Sequence, residues 1–322
     1  MSNLDPVSPP SLSADCEAAS ATPVAQRVTA RATELGGGMQ IRRALPARER
    51  RLIGAWCFLD HFGPTDIAGT PGMRVAPHPH IGLQTVSWLL QGEVLHRDSL
   101  GSLQSIRPGE LNLMTSGRGI SHSEESPATA SPTLHGLQLW IALPESARNM
   151  APAFDHYPTL PAVARDGASV TVLAGEALGE RSPAAIYSPL VGLDLQMAPH
   201  SSLQLPLHSP FEYGALVMQG SLTLDREPLA PGTLLYLGCG RQSLALRSDT
   251  GARAVLLGGK PFDEPVLMWW NFVARTKDEL SRVSRDWNER ADYLGEVKGY
   301  DGDRLTAPLP PWAAAGAAPA SP

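Results

Sequence analysis

A chain of 322 residues with 26 Lys and Arg against 32 Asp and Glu carries a formal charge of -6. It has no Lys/Arg block, so the electrostatic footprint of a direct nucleic-acid binder or a membrane-surface protein is missing. No apolar run reaches membrane-spanning length, the start, with Asp5, Asp15 and Glu17 among Ser and Pro, lacks the regions of a signal peptide, and three cysteines outside any Cys-x-x-Cys spacing exclude a disulfide framework, so the chain reads as cytoplasmic.

Residues 1–27, rich in Pro, Ser and Ala, cannot bury enough apolar surface to offset ordering entropy and read as a disordered tail containing Cys16. Beyond them, short apolar runs alternate with Gly and Pro turns, the pattern of an all-β sandwich or barrel. Strands are predicted at 85–90, 110–114, 137–143, 170–173, 215–218, 233–237 and 254–257. Cys57, inside Ala55-Trp56-Cys57-Phe58-Leu59, reads as a small buried hydrophobe, and neither it nor Cys239 is assigned chemistry.

Within the first half, His78-Pro-His80 is followed about forty residues later by His122-Ser-Glu124. On an extended strand, side chains at i and i+2 share a face with Cα atoms about 6.6 to 6.8 Å apart. A lone His-x-His is more often surface or core polarity than a ligand pair. A second same-face pair on a facing strand changes that, because three imidazoles and a carboxylate can close on one ion. That donor set suits Fe, Mn, Ni, Co, Cu or Zn better than Ca or Mg.

Near the end, Thr276-Lys-Asp-Glu279 is a capping box opening a helix over 280–293 that stops at Gly295. The segment 301–322, with Pro308, Pro310, Pro311, Pro319 and Pro322 among alanines, reads as a second disordered tail.

The two halves repeat one another. Leu89-Leu-Gln-Gly92 is echoed by Val217-Met-Gln-Gly220, and Arg107-Pro-Gly109-Glu-Leu111 by Ala230-Pro-Gly232-Thr-Leu234, each placing a strand, a glycine turn and a Pro-Gly turn in the same order. Carried through that register, His78 corresponds to Pro206, His80 to His208, His122 to Ala245 and Glu124 to Arg247. The second module has therefore lost the ligands, and one metal per chain is expected.

His78-Pro-His-Ile-Gly-Leu-Gln-Thr-Val-Ser-Trp-Leu-Leu-Gln-Gly92, Met114-Thr-Ser-Gly-Arg-Gly-Ile-Ser-His122-Ser-Glu124, His135-Gly-Leu-Gln-Leu-Trp140, Ala174-Gly-Glu-Ala-Leu-Gly179 and Pro261-Phe-Asp-Glu-Pro265 together resemble the pirin family of bicupin proteins. The resemblance runs over roughly residues 28–298. It implies two tandem cupin barrels packed together with a C-terminal helix: an N-terminal metal-binding cupin at 28–150, a C-terminal cupin without metal at 151–275, and the helix at 276–300. It also implies metal ligation by His78, His80, His122 and Glu124, with Fe(II) the usual ion. The family pattern His-Pro-His-Arg-Gly-Phe-Glu is changed here at Ile81, Leu83 and Gln84. A strand unbroken from His80 would point Gln84 into the barrel and leave Ile81 to make the pocket rim more apolar.

Some pirins are credited with quercetin 2,3-dioxygenase activity. The resemblance therefore implies a flavonol-like substrate and O2, and ring opening with release of CO; Glu124, the one ligand that can also accept a proton, is expected to be both ligand and general base. The same family is also described as iron-dependent regulators of protein partners, a non-enzymatic alternative that uses the same ligands. Of the remaining candidates, Arg118 reads as a turn residue between two glycines. His96 and His135 read as structural histidines or as supports of the ligands, and Trp88 and Trp140 as barrel core. Trp269, Trp270 and Trp287 read as packing or a partner surface.

Overall fold

In the computed structural model the described residues are 11–12, 19–35, 38–127 and 131–314. Cys16 and the outer parts of both expected tails lie outside them. Every predicted strand overlaps an observed one, those at 110–114 and 137–143 overrunning by one residue: Leu83–Gln91, Leu111–Thr115, Thr133–Ala142, Ala168–Ala174, Glu212–Gly220, Thr233–Gly238 and Ala252–Gly259.

The strands form two barrels of one plan. In the first, a seven-stranded sheet faces a four-stranded sheet ordered Arg74–His80, Ile120–Glu125, Val94–Asp98, Leu103–Ile106. In the second, a seven-stranded sheet faces Ser201–Pro206, Ser243–Ser248, Leu222–Leu224, Glu227–Leu229, so the repeat read from the turns is a repeat of topology. The two larger sheets pack on each other through a shared apolar core that includes Trp56, Trp88, Leu113, Leu139, Leu216 and Leu257. Contact is close enough that the Trp56 indole N–H donates to the carbonyls of Val191 and Gly258, both at 3.2 Å, and a Cβ on Gly192 would lie 2.9 Å from the same ring.

The barrels also exchange strands. Gln26–Thr29 pairs with Thr233–Gly238 at the edge of the second barrel's sheet, and Ala153–Tyr157 pairs with Leu111–Thr115 at the edge of the first. Boundaries at 28 and 151 therefore cut through sheets. An edge strand offers unpaired backbone groups to any segment able to reach them, and each barrel caps the other in this way. Residues 19–27, expected as tail, include part of this edge strand.

The capping box at Thr276 and Glu279 is present, and the helix runs Lys277–Asn288, followed by a 3-10 turn at Asp292–Leu294. It ends earlier than the predicted 293. With the hairpin strands Leu267–Trp269 and Phe272–Ala274, the helix packs Leu280, Val283 and Trp287 onto Trp269, Trp270 and Phe272, so the tryptophans are packing. The segment from 301, expected as tail, runs back along this cluster: the Trp287 indole donates to Leu305 O at 2.7 Å, and Leu305 N–H donates to Pro77 O at 2.9 Å. Aromatic side chains supplied the burial that alanine and proline content did not reveal.

Two readings of the departures near His80 change. The strand ends at His80. Gly82 then turns with φ +69, where a Cβ would meet Val273 O at 2.1 Å, and the next strand belongs to the other sheet. Gln84 consequently faces the contact between the barrels, donating to Thr115 Oγ1 and Ala185 O, each at 2.9 Å. Ile81 packs into the cluster around the C-terminal helix instead of the pocket rim.

Candidate metal centre

His78 and His80 share one face of Arg74–His80, and His122 lies directly across from His78 on Ile120–Glu125. The three imidazoles are unexposed, and their ligand atoms lie within 4.8 Å of one another. A bulge between His122 and Glu124 shifts Glu124 to face Val75 on one side, while His96 on Val94–Asp98 faces it on the other. Glu124 thereby joins a second group with His122 and His96. His122 is common to both groups, so the four residues read as ligands from sequence occupy one buried pocket.

Backbone carbonyls fix two of the ring tautomers. His78 Nδ1 is 2.8 Å from Ala76 O, and His80 Nδ1 is 3.0 Å from Asn271 O. A carbonyl oxygen only accepts, so both Nδ1 atoms carry hydrogen and both Nε2 atoms present lone pairs. Burial, the largest influence, pushes His80 down to about 3 and holds His78 and His122 well below the ordinary histidine range, so the rings stay neutral at physiological pH. His78 Nε2 has no hydrogen-bond partner, and His80 Nε2 and His122 Nε2 stand 3.0 Å apart. Buried polar atoms ordinarily have partners. Three convergent ring nitrogens beside a carboxylate, one of them without a partner, fit a divalent transition metal.

The opposite wall supplies further contacts. Ser87 and Gln138, cross-strand neighbours in the larger sheet, lie against Glu124: Ser87 Oγ is 3.3 Å from Glu124 Oε1 and 2.9 Å from Gln138 Oε1. Trp140 stacks on Phe58 with centroids 3.9 Å apart and sets its ring edge-on to His80 at 5.2 Å. Behind His122, its Nδ1 is 3.3 Å from His96 Nδ1, His96 Nε2 is 3.2 Å from Asp98 Oδ2, and Phe154 stacks on His96 at 4.3 Å.

Sequence reasoning did not reach Ser87, Gln138, Asp98, Phe154 or the Asn271 carbonyl. Only Asp98, two residues from His96 on a strand, left a local signal. His135 lies elsewhere, its Nε2 2.8 Å from His61 Nε2 and its Nδ1 3.5 Å from Gln219 Nε2, in the seam between the barrels. Trp88 belongs to the inter-barrel core. Arg118 holds a turn, donating its backbone N–H to Met150 O at 3.0 Å. Cys57 is buried with its thiol pushed up to about 12 by burial, consistent with inertness.

Among the described residues the second barrel has no counterpart to this pocket. At the inward positions of its smaller sheet stand Leu203, Leu205, Leu244 and Leu246. Ala245 and Arg247, paired with the ligands by the turn register, are exposed, so that register is one residue out of step with the burial alternation.

Comparison with known proteins gives a consistent result. Residues 38–141 match the family model described as Pirin, and residues 192–291 match that of the Pirin C-terminal cupin domain. A provisionally named quercetin 2,3-dioxygenase of Pseudomonas aeruginosa is 52% identical over 89% of this chain and 91% of its own length. A pirin-like protein of Caulobacter vibrioides is 36% identical over 78% of this chain and 88% of its own. The crystal structure of a quercetin 2,3-dioxygenase from Acinetobacter baumannii superposes with a TM-score of 0.86 at 46% identity, covering 88% of this chain and 95% of that one.

Proposed function

The chain belongs to the pirin family, and on that premise we propose that it is a mononuclear metal dioxygenase that opens flavonols such as quercetin with O2 and releases CO. His78, His80, His122 and Glu124 are the metal ligands in this reading, one ion per chain, with Fe(II) the preferred ion. The observation that carries it is the convergence of three buried, neutral imidazoles beside Glu124, with the Nε2 lone pairs of His78 and His80 fixed by the Ala76 and Asn271 carbonyls.

A metal held there supplies Lewis acidity that lowers the pKa of a substrate hydroxyl. Glu124 accepts the proton of that hydroxyl, acting as general base. Ser87 Oγ, 3.3 Å from Glu124 Oε1, holds the carboxylate toward the pocket. Trp140 and Phe58 close the wall behind His80 and exclude water from the reacting face. The deprotonated flavonol, rich in electrons, reacts with O2 and loses its ring carbon as CO. Similarity to the Pseudomonas and Acinetobacter proteins supports the substrate class. A cytoplasmic location belongs to the same reading, supported by free, buried Cys57 and Cys239 in keeping with a reducing compartment.

O2 uptake and CO release, measured on the metal-loaded chain with quercetin, test this. Activity that falls at least a hundredfold in Glu124→Gln while the metal content holds supports it. A wild-type chain that carries one metal yet consumes no O2 with any flavonol refutes it and leaves the regulatory reading, in which the metal state alters a protein contact.

A further inference from the structure

His78 and His80 have their ring protons held by carbonyl oxygens, whereas His122 has no carbonyl at its Nδ1. Its neighbour there is a third imidazole, His96 Nδ1 at 3.3 Å. With a metal bound, His122 offers its Nε2 lone pair beside that of His80, so its proton must sit on Nδ1 and needs an acceptor; without metal, the 3.0 Å contact lets His122 Nε2–H donate to His80 Nε2. His96 can accept only with its own proton on Nε2, where Asp98 Oδ2 stands 3.2 Å away. Asp98 is locked in turn: the backbone N–H groups of Leu100 and Ser102 both donate to Oδ1 at 2.9 Å, leaving Oδ2 for His96. Phe154, on the strand lent to this barrel, stacks flat on His96 with an interplanar angle of 14° and fixes the ring plane.

We propose that Asp98 and His96 form a positioning relay that orders the ring protons in sequence, Asp98 to His96 to His122, and so keeps the His122 Nε2 lone pair facing the ion. This rests on the ligand reading above. Neither residue touches substrate or metal; they act through His122, as hydrogen-bonded partners of ligating histidines generally do.

The relay makes a sharp demand on one near-isosteric change. In Asp98→Asn the two N–H donors keep Oδ1 as their acceptor, so the new amide NH2 takes the place of Oδ2. A donor then faces His96 Nε2, His96 must carry its proton on Nδ1, and His122 is driven to the Nε2–H tautomer, which cannot bind a metal through that nitrogen.

Tautomers are read on the full chain loaded with Zn(II), because without metal His122 Nε2–H can donate to His80 Nε2 at 3.0 Å; affinity is read by titrating the stripped chain. Long-range proton–nitrogen NMR of the imidazoles reads the tautomers directly, and competition of Zn(II) against a chelating dye reads affinity. The relay requires His96 to move from Nε2–H to Nδ1–H in Asp98→Asn, and Zn(II) affinity to fall about 10- to 100-fold with the thermal midpoint of the metal-free chain unchanged. In a His96→Leu background, Asp98→Asn should add no further loss.

Unchanged tautomers, or affinity within about twofold of wild type, overturn the relay, and this holds even if His96→Leu fails to fold. Loss in His96→Leu as severe as in His122→Ala, with Asp98→Asn silent, overturns it by making His96 a ligand. A His78→Ala, His122→Ala variant that keeps its metal overturns the ligand reading itself, and that arm involves neither residue 96 nor residue 98.

Discussion

At the inward positions of its smaller sheet the first barrel carries His78, His80, His122 and Glu124, and the second carries Leu203, Leu205, Leu244 and Leu246. The strand order around them is the same. The second barrel is held by its own apolar filling, the large favourable term in any small domain. The first has polar groups in that place and leans on elements from outside: the 153–157 strand, which brings Phe154, and the C-terminal hairpin and helix, which bring the Asn271 carbonyl and a layer of tryptophans. A cupin frame tolerates a polar centre when other parts of the chain supply the packing and the hydrogen bonds that the centre cannot.

The contrast is broken most completely by removing the ligands. His78→Ala with His122→Ala should take metal content, read by inductively coupled plasma mass spectrometry, from near one ion per chain to near none. A wild-type content near two would mean that the second barrel also binds.

Leu205→Ala should cost about 3 to 5 kcal/mol of unfolding free energy, because a fully buried leucine loses its transfer term and leaves a cavity. Urea denaturation measures it, and a loss under 1 kcal/mol would mean that the second interior is not the apolar support described here.

The seam between the barrels responds to acid. Burial, the largest cause, lowers His61 to about 3 and His135 to about 4, below the ordinary 6.5 of the unfolded chain. The unfolded state therefore takes up protons first as pH falls. The stability contributed by the neutral pair is complete above about pH 6.5 and declines toward 4 by on the order of 1 kcal/mol per pH unit. His78, His80 and His122, also held neutral by burial, add to the same slope in metal-free protein, so denaturation midpoints at pH 6.5, 5.5 and 4.5 should fall with acid and His135→Gln should make the fall shallower by the seam pair's share.

Smallest in stability is Ser87→Ala in the first barrel, at about 1 kcal/mol, although it removes the hydroxyl beside Glu124. Oxygen-uptake kinetics should reveal what thermal melting barely registers. Equal loss of stability from Ser87→Ala and Leu205→Ala would erase the distinction between the interiors.

The clustering of His78, His80, His122 and Glu124 was legible in the sequence because strand alternation makes His-x-His a same-face pair, although Glu124 joins His122 through a bulge, and the repeat was legible because turns demand Gly and Pro at fixed places. What escaped notice depends on contacts with no local signature. Nothing in the residues around 271 announces that a carbonyl there holds His80, nor in Ala153–Tyr157 that Phe154 covers His96. Gln84 was misplaced because the sheet changes at Gly82, and the second barrel's register slipped by one because turns were counted while the buried leucines at 203, 205, 244 and 246 were not.

The hydrogen bond from His80 to Asn271 spans 191 positions, and this sets an order of events during synthesis. Domains generally fold from the N-terminus as the ribosome proceeds, so the first barrel's strands emerge long before the residue that steadies His80. The pocket cannot be finished until the hairpin near 271 clears the exit tunnel and folds back. If the pocket takes a metal as proposed, loading is therefore a late act in the life of the polypeptide, and a chain truncated just short of that hairpin is expected to retain the ion weakly.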